Sequence, residues 1–167
     1  MLRATVTHLG RAGEGPIELA SLGVLFEESP GDPLTSAEAN ALVESLRVYR
    51  DANGSGVFEP ATDALVTSVP TLTLTGGVAT VAFVDGDANV QVAVGTPRAY
   101  FVVVELTTTA SGQVPVRFRV TLLQTVASRS VVEDRTFDLP LRLACPADVS
   151  STVRQVVPVE LTGFAVE

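Results

Sequence analysis

Val, Thr, Leu and Ile alternate with polar residues over short runs along most of the chain, and Gly, Pro, Asp or Asn fills the gaps between runs. A period of two with such breaks is the pattern of half-buried β-strands. The runs predict strands over Leu2–Leu9, Ile17–Phe26, Leu46–Arg50, Ala64–Val69, Thr71–Thr75, Val78–Val84, Val90–Val94, Tyr100–Thr107, Val116–Leu122, Thr136–Leu143 and Gln155–Val166. Gly76-Gly77 joins two of them and suits the primed turn of a tight hairpin. Tyr100–Val104 is apolar on both faces, which predicts a central strand. One helix interrupts the pattern. Thr35-Ser-Ala-Glu38 is a capping-box sequence, and Ala39, Leu42, Val43 and Leu46 then recur at helical spacing. A short helix is expected at about residues 35–45, plugging an open end of the fold and delivering the chain into the next strand. The fold class predicted is all-β, an antiparallel β-sandwich with one inserted helix. Residues 1–147 are expected to form that domain, and residues 148–167 a C-terminal strand or junction in its own sheet, a following domain or a neighbouring subunit.

At 167 residues the chain is long enough for one domain with a sizeable core. Hydrophobic residues make up 46%, yet no apolar run approaches the ~18 residues of a membrane span, so membrane insertion is not expected. A net charge of −8 argues against nucleic acid, whose binding calls for a basic stripe, and against anionic membrane surfaces. All 11 basic residues are Arg, which removes Schiff-base chemistry, phosphate-loop lysines and Lys-to-Asn cross-links. His8 is the only histidine, so zinc sites with several His ligands are excluded. No Gly-x-Ser-x-Gly elbow is present, and no enzyme is expected. Cys145 stands alone, cannot form an internal disulfide, and fits a small apolar residue at a partly buried strand end. No secretory leader opens the chain, which suits a mature segment or an excised module.

The segment Asp51-Ala-Asn-Gly-Ser-Gly-Val-Phe-Glu-Pro-Ala-Thr-Asp63 carries the most specific chemistry, because oxygen-bearing side chains alternate around glycine. Calcium takes six to eight oxygen ligands from a tight loop. Asp51, Asn53 and Ser55 would point inward, the carbonyl of Val57 would close the arc, and Gly56 would permit the sharp turn. Glu59 could coordinate directly or through a water, and Asp63 could complete the cage. A plain turn made by Asn, Gly and Ser is the competing reading. Only three acids line the candidate cage, so weak affinity is expected, on the order of 10⁻⁴–10⁻³ M. Such a site is useful where calcium is millimolar, which implies an extracellular or cell-surface setting. Asp85-Gly-Asp-Ala-Asn89 offers three more oxygen donors, Asp85, Asp87 and Asn89, as a hairpin turn or a second ion site. Glu133-Asp134, before a strand, is a ligand pair or a solvated turn, and the turn is the expectation.

Asp-x-Asn-x-Ser-Gly resembles the EF-hand loop up to its glycine. The twelfth position is Thr62 rather than the bidentate Glu of that pattern, with the acid one residue later at Asp63. The flanks, Leu46–Arg50 and Ala64–Val69, read as strands rather than helices. In this the loop is similar to dockerin-type half EF-hands and to the calcium loops between strands of secreted bacterial sandwich modules. The run Arg47–Phe58 makes the whole chain resemble the calcium-binding, immunoglobulin-like sandwich repeats of large secreted or surface proteins in bacteria. Pro158-Val-Glu-Leu-Thr-Gly-Phe164 resembles the junctions that precede fibronectin-like domains in such proteins. The resemblance implies an immunoglobulin-like β-sandwich acting as a calcium-stabilised structural building block of a surface array or fibre. Self-association or contact with neighbouring modules would run through the terminal strand. The alternative is a carbohydrate-binding or adhesive accessory module with a polysaccharide partner. Against it, the chain has no Trp and two Tyr, a poor supply for an aromatic stacking platform.

Overall fold

The computed structural model describes residues 1–125 and 129–156. In chain order the strands are β1 (Leu2–Val6), β2 (Ile17–Ser29), β3 (Asp32–Pro33), β4 (Val43–Arg50), β5 (Ala64–Val69), β6 (Leu74–Thr75), β7 (Val78–Ala82), β8 (Gln91–Val92), β9 (Arg98–Leu106), β10 (Arg117–Leu123), β11 (Val131–Asp134), β12 (Leu139–Leu141), β13 (Val149–Ser150) and β14 (Arg154–Gln155), with helix α1 (Ser36–Leu42) before β4. The expected all-β antiparallel sandwich with one short helix is what forms.

The first sheet has the order β1-β9-β4-β5, all antiparallel. β9 lies inside it, as its two-sided apolar run predicts. Tyr100 and Val102 face the core, whereas Phe101 lies against Phe58 at a ring separation of 5.6 Å, and Phe58 also meets Tyr49 at 5.0 Å. The outer face of this sheet is therefore covered by the Asp51–Asp63 loop, to which Phe58 belongs.

The second sheet is organised around β2. Along one of its edges run β7 (Val78–Ala82 opposite Leu25–Ser21) and then β8 (Gln91–Val92 opposite Glu18–Ile17). Along the other run β10 and then β11, both also antiparallel to β2. The β7–β8 flank is thus a single interrupted strand with an excursion, residues 83–90, in its middle. A bulge at Ala20, between the partners of Val131 and Val132, reverses the inward parity of β2. Leu22, Val24 and Phe26 face the core above it, and Ile17 and Leu19 below it. Glu18 is left on the outer face.

Inner residues of both sheets, with Leu34, Ala39 and Leu42, form one core. Thr35 caps α1 as expected. Its hydroxyl accepts from the Glu38 N–H at 3.3 Å, and the Glu38 carboxylate accepts from the Thr35 N–H at 2.8 Å. The helix stops at Leu42, short of the expected residue 45, because Val43 turns extended (φ −110°, ψ 121°) and starts β4. Val43 and Leu46 are buried from a strand, so helix and strand share one apolar stripe.

Other boundaries differ where side chains capture backbone groups. Of Thr71–Thr75 only Leu74–Thr75 is strand, since Asn40 takes both the N–H and the carbonyl of Leu72 (2.8 Å each). The expected strand Thr136–Leu143 is broken. Asp134 Oδ1 accepts from the N–H groups of Thr136 and Phe137 (2.9 and 3.0 Å), winding a turn that Asp138 completes at φ 52° before β12. Glu133 and Asp134 accordingly end a strand rather than precede one. In the 148–167 segment, β13 and β14 both pair with β10, so it joins its own sheet as far as Val156, whose N–H bonds the Val116 carbonyl at 2.7 Å. The remainder of the expected strand Gln155–Val166 lies outside the described residues.

Candidate metal-binding loop

β4 and β5 are antiparallel neighbours with Arg50 opposite Ala64, and the loop Asp51–Asp63 joins their ends. Its flanks are strands, as the sequence predicts, and the Asp51 N–H is fixed to the Ala99 carbonyl of β9 at 2.9 Å. The ends and the middle of the loop are thus anchored, the ends by ladders and the middle by Phe58.

Asp51 winds the first half. Its Oδ1 accepts from the Gly54 N–H at 2.7 Å and its Oδ2 from the Gly56 N–H at 2.8 Å. Both glycines sit at φ 72°, a region that favours glycine, so the turn requires them. Asn53 Oδ1 accepts from the Ser55 N–H at 2.9 Å, and the Ser55 hydroxyl donates to the Val57 carbonyl at 3.0 Å. The Val57 side chain points out at 64% exposure, so the carbonyl is its useful group. Glu59 Oε2 accepts from Asn53 Nδ2 at 2.6 Å and is 3.4 Å from the Thr62 hydroxyl. Asp63 is buried at 7% exposure and staples both ends, accepting from the Glu59 N–H at 2.8 Å and the Ala52 N–H at 3.3 Å.

Asp51, Asn53, Ser55, Val57 and Glu59 are therefore linked by bonds within the loop, and Asp63 lies beneath them holding backbone. The donor chemistry fits a hard cation. Carboxylate oxygens have about four acceptor sites in all, so Asp51 and Asp63, each accepting two N–H bonds, retain lone pairs for an ion. Two features limit the charge available. Among the described residues no group of three or more His, Cys, Asp and Glu side chains is arranged to hold a metal ion. In addition, a Cβ on Gly56 would lie 3.2 Å from Nη2 of Arg3, which places that guanidinium against the loop.

Asp85, Asp87 and Asn89 are not a hairpin, because β7 and β8 run in the same direction along β2. They lie in a loop, residues 83–90, that leaves at the Ala20 carbonyl (Phe83 N–H, 3.0 Å) and returns at the Leu19 N–H (Val90 carbonyl, 3.1 Å). Their side chains serve different partners. Asp87 Oδ1 accepts from the backbone and side-chain N–H of Asn89 (2.9 and 3.0 Å), Asn89 Oδ1 accepts from Arg50 Nε (3.2 Å), and Asp85 faces Glu18. A guanidinium on Asn89 disfavours a cation there.

Glu18 is the residue sequence reasoning missed. It is 1% exposed although it alternates between Ile17 and Leu19 on what would be the solvent face, and the 83–90 loop approaches it there, with the Gly86 N–H 3.4 Å from its Oε1. Cys145 is partly buried in an irregular segment rather than at a strand end, and burial, then Asp148, pushes its thiol up. Compared with protein-family models, curated proteins and solved structures, the chain matches none, so its functional reading rests on its own residues.

Proposed function

We propose that this chain is a non-enzymatic, extracellular structural module stabilised by calcium in the Asp51–Asp63 loop. The observation that carries the reading is Asp51, whose two carboxylate oxygens accept from the N–H groups of Gly54 and Gly56, both at positive φ, winding an oxygen-rich segment into a tight turn between two strands. Asp51, Asn53, Ser55, the Val57 carbonyl, Glu59 and Asp63 would hold the ion, which would tie β4 to β5. An ion at ten times its dissociation constant adds about 1.4 kcal/mol to a fold that alone binds it. For a chain of this size that is about 3–6 °C in melting temperature. The test is a thermal melt in millimolar calcium and in excess chelator, with Asp51→Ala in parallel. A calcium-dependent rise absent from the variant supports the reading, and identical melts reduce the loop to a turn.

Assembly into an array or fibre is part of this proposal. Among the described residues no helix is long and apolar enough to cross a membrane. A groove of about 560 Å³ opens between the sheets, with Leu2, Val102, Val104, Phe118 and Val120 among its walls and Val156 at its rim. Such an opening suits a strand from a neighbour. Fibres lost on deleting residues 155–167 would support terminal-strand assembly, and a monomer at all concentrations would oppose it.

A further inference from the structure

Glu18 is the side chain least expected where it lies. The 83–90 loop closes over it as a compact loop whose ends bond adjacent residues of β2, Ala20 and Leu19. One carboxylate oxygen, Oε1, is 3.4 Å from the Gly86 N–H, and the other, Oε2, is buried without a hydrogen-bond partner. A buried acceptor left in that state costs free energy unless something fills it.

The groups that face Glu18 identify what fills it. On β11 the residue directly opposite is Glu133. On β8 the opposite residue is Gln91, uncharged, whose amide donates to the Gly86 carbonyl at 2.9 Å and steadies the loop. From the loop itself comes Asp85, the neighbour of the Gly86 whose N–H approaches Glu18, and its charge acts on Glu18. Asp138 adds its charge beside Glu133. Among the described residues no Arg bonds or pairs with Glu18, Asp85 or Glu133. Two neighbouring ionised carboxylates offer only acceptors to each other, and a single proton turns that repulsion into a hydrogen bond.

We propose that a proton held between Glu18 and Asp85 latches the 83–90 loop onto β2, and that the loop is released when this proton leaves to solvent. Burial, then the Asp85 and Glu133 charges, raise the Glu18 pKa and outweigh the Gly86 N–H that lowers it. The latch is thus closed at low pH and opens as pH rises through the native Glu18 pKa. Opening has a reach beyond β2. The loop's Ala88 and Asn89 carbonyls accept from Arg98 Nη1 (2.6 Å) and the Tyr100 hydroxyl (3.0 Å), and Asn89 Oδ1 accepts from Arg50. Releasing it unties the two sheets at the end where Asp51 begins.

The experiment follows the Glu18 side-chain carboxyl by carbon NMR and the exchange rate of the Gly86 amide in the full chain from about pH 4 to 9. Glu18 is expected to titrate above an ordinary glutamate, with Gly86 losing protection, relative to core amides, at the same midpoint. Asp85→Asn, on the exposed loop, is expected to lower that midpoint. Glu18→Gln, whose amide can donate to Asp85 without titrating, is expected to keep Gly86 protected throughout. Should Glu18→Gln fail to fold, the wild-type and Asp85→Asn titrations decide. An ordinary Glu18 midpoint, or Gly86 protection that ignores it, overturns the latch. So does protection set by added calcium in the Asp51→Ala background, which would make the cluster a cation site instead.

Discussion

Asp63→Ala separates the loop's own architecture from any ion it binds. The Asp63 carboxylate is 7% exposed and accepts from the N–H groups of Glu59 and Ala52 at 2.8 and 3.3 Å. Hydrogen bonds to charged groups contribute about 1.5–3 kcal/mol each. The Ala52 bond is long and the loop's outer surface is wet, so the pair together is set at about 2–4 kcal/mol rather than twice the upper figure. At about 2–4 °C per kcal/mol for this chain length, the variant should melt about 4–16 °C below wild type. The loss should appear in excess chelator, where calcium contributes nothing, and Asp63→Asn should recover part of it only if its amide oxygen keeps one bond. Calorimetric or circular-dichroism melts in chelator suffice. A chelated Asp63→Ala protein that melts with wild type would refute the staple, and with it the idea that the loop is wound before an ion arrives.

Two further substitutions probe the frame around the loop. Gly23→Ala would place a Cβ 2.7 Å from the Arg129 carbonyl oxygen, so a loss of about 1–3 kcal/mol is expected in urea unfolding. Burial pushes the Tyr100 phenol up to about 12. Its contribution is fully present below the unfolded value of about 10 and is lost as pH rises from about 10 to 12, a span worth roughly 2–3 kcal/mol. Tyr100→Phe should flatten that alkaline limb of a stability-versus-pH curve, while an unchanged limb would assign it to other groups.

Alternation made the sandwich legible because strand residues interact mainly through one face or the other, and that is a local property of the sequence. Tyr100–Val104 declared itself central by being apolar on both faces, and Phe58 over Phe101 is the outer half of that explanation. The capping box at Thr35 and Glu38 was equally local. The helix's end was not, because Val43 and Leu46 fit a helical stripe and a strand alike until β9 pairs with them. Asp134 and Asn40 broke expected strands by bonding backbone, a competition hydrophobic pattern does not register. In the loop, the order of oxygen donors and the flanking strands could be read, and the buried stapling of Asp63 could not. Glu18 was illegible for a larger reason. Its burial depends on an excursion some seventy residues away, since Gly86 bonds it across a separation of 68.

The most direct measurement is a calcium titration of the amide NMR spectrum, with Asp51→Ala as control. Saturable shifts at Gly54, Gly56 and Glu59 with one site in the 10⁻⁴–10⁻³ M range, roughly as for extracellular modules, are expected, and the variant should lose them. A spectrum indifferent to calcium up to about 10 mM, ten times the upper end of that range, would contradict the metal loop and the structural role built on it.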